Sequence, residues 1–162
     1  MPRFRDAPPL RAVSWLNVIE PPTQESLRGR VVLLHAFQMR CPGCHELATP
    51  QAQRVHESFP HDDVAVIGLH CVFENHEAQS PEVLRAYVRE QRLTFPIAID
   101  APDGDGRIPL TMKALNLDGT PTLVLLDGQG RIRMKRLGYV PDLKLGAAIG
   151  TLVAELRDPS RG

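Results

Sequence analysis

Apolar positions along the chain fall into two kinds of run. Residues 31–37 (VVLLHAF) and 64–71 (VAVIGLHC) are short, nearly continuous apolar stretches rich in branched side chains. Runs of that length and composition fit strands covered on both faces. Residues 95–99 (FPIAI) and 123–126 (LVLL) are shorter stretches of the same kind. Elsewhere the spacing is helical. Val83, Leu84, Tyr87 and Val88 share one stripe behind Ser80–Pro81, an N-cap residue followed by proline at the first helical position. Residues 46–59 predict a helix that stops before Pro60, with Pro50 kinking it or marking a first-turn break. Residues 110–117 predict a short helix, and Leu145, Ile149, Leu152, Val153 and Leu156 mark a last one over 143–156. Asp127–Gly128–Gln129–Gly130 reads as a hairpin turn into an antiparallel strand over 131–137.

Strands alternating with helices predict an α/β fold in three layers, a central sheet with helices on both faces. The terminal hairpin makes that sheet mixed. Residues 1–26 form an N-terminal arm, rich in proline, with one short strand expected over 12–18 and Trp15 packing it onto the domain. Residues 27–157 form the single domain, and 158–162 a polar tail. No internal repeat or linker interrupts it.

Composition narrows the functional classes. Lys plus Arg and Asp plus Glu are both 19, so the formal charge is zero, which argues against binding nucleic acid or a charged membrane surface. The 162 residues bury a sizeable core without disulfides, and three cysteines are too few for a disulfide scaffold. The N-terminus has positive charge but no apolar core or cleavage site of the secretory kind, and no window is long and apolar enough to span a bilayer. A cytoplasmic protein is expected on that basis.

Two of the cysteines form Cys41–Pro42–Gly43–Cys44, between the end of a buried strand and the start of a helix. A helix start presents unpaired N–H groups and partial positive charge, which stabilise a thiolate. Arg40 adds a cation beside it. Cys41, the more exposed, is the candidate nucleophile, and Cys44, one turn in, is placed to resolve a mixed disulfide. Cysteines at this spacing are able to cycle between dithiol and disulfide.

The segments LRGRVVLLHAFQMRCPGC (27–44), GLHCVFENHE (68–77) and GTPTLVLLDGQGRI (119–132) together give a wider resemblance. The chain resembles the thioredoxin-fold, TlpA-like thiol-disulfide oxidoreductases and the related redoxin (AhpC/TSA-like) branch, over residues 27–156. The resemblance implies a thioredoxin-like fold and an enzyme working on protein or small-molecule thiols and disulfides, without a cofactor or metal. It implies Cys41 as attacking thiol, Cys44 as resolving thiol, and Pro121, preceded by Thr120, as a cis-proline that shapes the substrate groove beside Arg40. Oligomeric state stays open.

This sequence departs from that pattern in two places. Gln38, Met39 and Arg40 replace the aromatic and small residues usual before the first cysteine. His35 stands six residues before Cys41, where relatives carry a buried acid or Asn. Its two readings are a base that takes the Cys44 proton during resolution and a core histidine making one hydrogen bond.

Other readings are weaker. A peroxiredoxin-like peroxidase would carry Pro seven and Thr or Ser three residues before its reactive cysteine; here those are Leu34 and Gln38. A thiol-based metal- or partner-binding module is a non-enzymatic alternative. Cys41–His45 also fits the C-x-x-C-H pattern of haem attachment, against which stand the preceding buried strand and the lack of an export signal. Cys71, ending the second strand, is either a third redox or metal-ligating residue beside His70 or a small buried hydrophobe, and the latter is favoured. His70 either borders the dithiol or caps the strand end. Arg131, Arg133, Lys135 and Arg136 read as a charged edge that blocks strand-to-strand aggregation. Asp103–Gly106 reads as a turn, since Ala114 stands where a calcium loop needs a glutamate.

Overall fold

The protein is described here from a computed structural model, covering residues 3–158 and residue 160. The polar tail expected over 158–162 therefore lies mostly outside the described residues.

Six strands form one mixed sheet: β1 (Ala12–Leu16), β2 (Val31–Phe37), β3 (Val64–His70), β4 (Ile97–Asp100), β5 (Thr122–Leu126) and β6 (Ile132–Leu137). Their order across the sheet is β1-β4-β3-β2-β5-β6. β2 and β3 pair in parallel, as do β3 and β4, and the remaining neighbours are antiparallel. The two longest apolar runs thus occupy the centre, where both faces need covering. The N-terminal strand is stitched into the sheet, with Trp15 opposite Ala98 and Leu16 opposite Ile97.

Alternation along β2 divides the core in two. Val31, Leu33 and Phe37 pack with Ala52 and Val55 of α2 (Thr49–Ser58), Leu84 and Val88 of α3 (Pro81–Glu90), and Leu145, Ile149 and Leu152 of α5 (Asp142–Arg157). Val32, Leu34 and Ala36 face the other way, onto Met112 and Leu115 in and after α4 (Leu110–Ala114), with Trp15 and Leu27 closing that side. The Asp100 carboxylate at the end of β4 holds α4 in place by accepting from the Thr111 and Met112 N–H groups at 2.8 and 2.9 Å. These are orphan donors of a helix start.

Several boundaries differ from the sequence reading, each for a local reason. The helix expected over 46–59 is two pieces. Cys44–Ala48 is a wide, π-helical turn, closed by the Thr49 N–H on the Cys44 carbonyl, and α2 begins at Thr49. Pro50 has no N–H to offer the Glu46 carbonyl, and its ring would press on that oxygen, so the spiral widens and restarts around it. β3 ends at His70, one residue before Cys71. A four-residue helix, α1 (Gln24–Leu27), was not expected; Thr23 and Ser26 cap it reciprocally, and it buries no residue that would have marked it in the pattern. The basic strand is an edge strand, but its arginines are not all free. Arg133 reaches both Asp127 and Glu155, and Arg131 reaches Asp127.

Gly68, in the middle of β3, is required by close packing. A Cβ there would lie 2.9 Å from the Phe95 ring and 3.1 Å from both Ile97 and Phe37, all fully buried. Gly68→Ala is expected to lower stability by about 1–3 kcal/mol, the usual cost of overpacking a full core. Urea unfolding of the two proteins measures it; equal midpoints would show that the rings have room to move.

Candidate active site

β2 delivers the chain to the dithiol at the C-terminal end of the parallel strands. Gln38–Met39–Arg40 follow Phe37, and the Cys41 N–H donates back to the Gln38 carbonyl at 3.1 Å, closing a tight turn. Cys41 is partly exposed and Cys44 fully buried. All three cysteines are unpaired. The Cys44 N–H donates to Cys41 Sγ at 3.4 Å, and the Cys41 carbonyl accepts from the His45 N–H at 3.0 Å. The Cys41 sulfur is thus held by a first-turn amide.

The second wall comes from the far side of β2. The Thr120–Pro121 peptide bond is cis. The Thr120 carbonyl accepts from Cys41 Sγ at 3.5 Å. A Cβ on Gly43 would stand 3.6 Å from Pro121 Cδ, so the proline lies against the middle of the C-P-G-C turn. The structure thus gathers Cys41, Cys44, Thr120 and Pro121 at one place. Arg40 is exposed, and its backbone N–H is tied inward to Gln79 Oε1 at 3.2 Å.

The two thiols differ in environment. Burial pushes the Cys44 pKa well above its ordinary value, and its hydrogen bond with Cys41 pushes the same way. The Gln38 backbone and the Thr120 side chain pull it part of the way back. Burial above all thus holds Cys44 as a thiol.

The remaining sequence candidates are placed as follows. His35 is buried on β2, bonded through Nε2 to Thr49 Oγ1 at 2.8 Å and stacked on Phe37 at 4.8 Å. Desolvation drives its pKa down to about 3. This is the geometry of a neutral core histidine with one hydrogen bond, and such a group is a weak base near neutral pH. His70, also buried, accepts the Met39 N–H on Nε2 at 3.3 Å, and desolvation lowers its pKa to about 4. It touches the segment leading to Cys41 rather than a sulfur atom. Cys71 is fully buried, with its Sγ 3.8 Å from the Phe37 carbonyl. Burial, with the nearby Asp100 and Cys44 charges, raises its pKa well above the ordinary thiol value. It sits among apolar side chains on the sheet face opposite Cys44. His45 is exposed and bonded to the Tyr87 hydroxyl at 3.0 Å.

Sequence reasoning missed two partners. Thr49 holds His35, and Gln79, in a one-turn helix at Glu77–Gln79, is buried behind the 38–40 segment. A glutamine in a polar loop carries no periodic signal, so only the folded contacts bring Gln79 to the site.

A mixed sheet of this order, with a C-x-x-C at a helix entrance and a cis-proline packed on it, defines a thioredoxin-like protein. The chain belongs to the AhpC/TSA family, whose family model matches residues 15–135. It is similar to the sporulation thiol-disulfide oxidoreductase A of Bacillus subtilis, at 28% identity over 111 residues, covering 68% of this chain and 61% of that protein. The chain thus spans less than two thirds of that relative's length. It is also similar to the thioredoxin-like protein SkfH of Bacillus subtilis, 31% identical over 109 residues, or 67% of this chain and 70% of that one. Among solved structures, a thiol-disulfide isomerase from Corynebacterium glutamicum superposes with a TM-score of 0.88 at 44% identity, covering 92% of this chain and 97% of that one.

Proposed function

We propose that the protein is a thiol-disulfide oxidoreductase that cycles the Cys41–Pro42–Gly43–Cys44 pair between dithiol and disulfide. The observation that carries the reading is the asymmetry of the pair. Cys41 is accessible and receives an amide hydrogen bond, while Cys44 is buried one turn behind it. The Cys41 thiolate attacks one sulfur of a protein or small-molecule disulfide. A new S–S bond forms, the old one breaks, and the departing thiolate takes a proton from solvent. Cys44 then loses its proton to solvent and attacks Cys41 Sγ, which releases the second thiol and leaves the Cys41–Cys44 disulfide. Once Cys41 has attacked, its thiolate charge is gone, and that charge is one of the causes that keep Cys44 protonated beside the larger one, burial. Thr120 and Pro121 form the wall against which a substrate chain would lie. An external dithiol returns the pair to its reduced form.

The test is insulin-disulfide reduction with dithiothreitol, run beside a peroxide-consumption assay. Reduction of insulin well above the dithiothreitol background is expected. Peroxide turnover without disulfide reduction would overturn the reading. Gln38 weighs against peroxidase chemistry, because its amide is turned into the loop over 73–79 and away from Cys41.

A further inference from the structure

The segment joining β2 to Cys41 is held by a buried pair of amides, and every polar atom of that pair has a partner. Gln38 and Gln79 are 1% and 4% exposed. Gln79 Nε2 donates to Gln38 Oε1 at 3.1 Å and to the Glu74 carbonyl at 2.9 Å, while Gln79 Oε1 accepts the Arg40 N–H at 3.2 Å. Gln38 Oε1 also accepts the Phe73 N–H at 3.3 Å, and Gln38 Nε2 reaches the Glu74 carboxylate at 3.4 Å. Flipping either amide would set an NH2 group against backbone N–H donors, so the network permits one arrangement. Its output is at the dithiol: the Gln38 carbonyl takes the Cys41 N–H, and the Gln38 backbone lies against Cys44.

We propose that Gln79, acting through Gln38, is a positioning residue of the redox centre: the amide pair fixes the 38–41 turn and thereby shifts the dithiol–disulfide equilibrium toward the dithiol. This inference rests on the thiol-disulfide reading above. A fixed turn keeps the Gln38 backbone against Cys44 and the Cys44 N–H on Cys41 Sγ, and a reduced sulfur is a better hydrogen-bond acceptor than a disulfide sulfur. Loosening the turn removes that preference and favours the disulfide.

The experiment equilibrates wild type, Gln79→Met and Gln38→Met with glutathione and glutathione disulfide, whose exchange is balanced: dithiol plus glutathione disulfide gives protein disulfide plus two glutathione. Each variant is expected to form its disulfide more readily by about tenfold in equilibrium constant, ~30 mV for a two-electron couple. The double variant is expected to shift no further than the singles, because both remove one network. A merely structural amide pair would lower the thermal midpoints of both redox forms alike and leave the equilibrium within twofold of wild type, and that result overturns the proposal. Should one variant fail to fold, the other carries the same comparison. Wild-type protein that forms no Cys41–Cys44 disulfide at any glutathione ratio overturns both the redox reading and this inference. Cycling wild type with unshifted variants overturns this inference alone.

Discussion

The folded protein is expected to lose a large share of its stability between about pH 6.5 and pH 4. The cause is two histidines buried in their neutral form, His35 with its pKa at about 3 and His70 at about 4, both lowered by desolvation. In the unfolded chain each returns to about 6.5. Below that pH the unfolded state binds protons that the folded state refuses, so stability falls as pH falls, until the folded-state values are reached. Each pH unit of difference is worth ~1.4 kcal/mol per group. His70 then contributes a loss of roughly 3 kcal/mol and His35 a loss of roughly 5 kcal/mol once fully expressed. Domains of this kind have about 5–15 kcal/mol in total, so the two histidines remove a large share of it in mild acid.

Other groups modify the slope without reversing it. His56, stacked on His61 at 4.2 Å and lowered by desolvation and by that neighbour, acts in the same direction. Asp127, which burial would raise, is held below its ordinary value by the Arg131 and Gln129 N–H groups and by the Arg131 and Arg133 side chains, and adds a loss in the carboxylate range. Asp100 opposes them. Burial raises its pKa, so the folded state binds its proton more readily than the unfolded chain does. Urea unfolding at pH 7, 6, 5 and 4 reads the sum. The His35→Gln, His70→Gln double variant is expected to flatten the profile, starting from a lower plateau. A wild-type profile that changes by less than about 1 kcal/mol from pH 7 to pH 5 would mean the two histidines are not buried as neutral groups.

The second large effect belongs to the cysteines. Cys44→Ser is expected to stop the cycle after the first attack, leaving a mixed disulfide on Cys41. An intramolecular thiol acts at an effective concentration far above that of any thiol in solution. Without it, the mixed disulfide with glutathione is expected to live longer by two or more orders of magnitude, long enough to see in an intact-mass spectrum. Cys41→Ser is expected to form none and to lose insulin reduction by roughly a thousandfold, since no remaining thiol is both exposed and able to resolve. Cys71, fully buried on the other sheet face, is no substitute. A Cys41→Ser protein that still forms a glutathione adduct at Cys44 would reverse the assigned order of the pair.

Much of this was legible in the residues. The apolar runs at 31–37 and 64–71 became the two central strands, because a stretch with no polar face has nowhere else to go. Ser80 and Pro81 opened α3 as capping chemistry requires, with the Ser80 hydroxyl accepting the Val83 N–H at 3.3 Å. The place of Cys41–Cys44 at a helix entrance followed from the same local rules. Pro50 reads as a kink or a first-turn break, and the wide turn before it is how the chain accommodates a missing N–H.

Long-range contacts decided the rest. Sequence offered two roles for His35, and its pairing with Thr49 and its full burial set its protonation state. Cys71 differs from Cys44 by facing the opposite side of the sheet, which no spacing along the chain reveals. Gln38 stands out only by what it replaces, a usual residue before the dithiol and a peroxidase hydroxyl, and Gln79 does not stand out at all. They meet 41 positions apart, inside the fold. Local sequence chose the elements and set the thiols one turn apart, because capping, periodicity and helix-start chemistry act over a few residues. The pKa values and the grip on the 38–41 turn depend on desolvation and on hydrogen bonds between distant segments, and these exist only once the chain has folded.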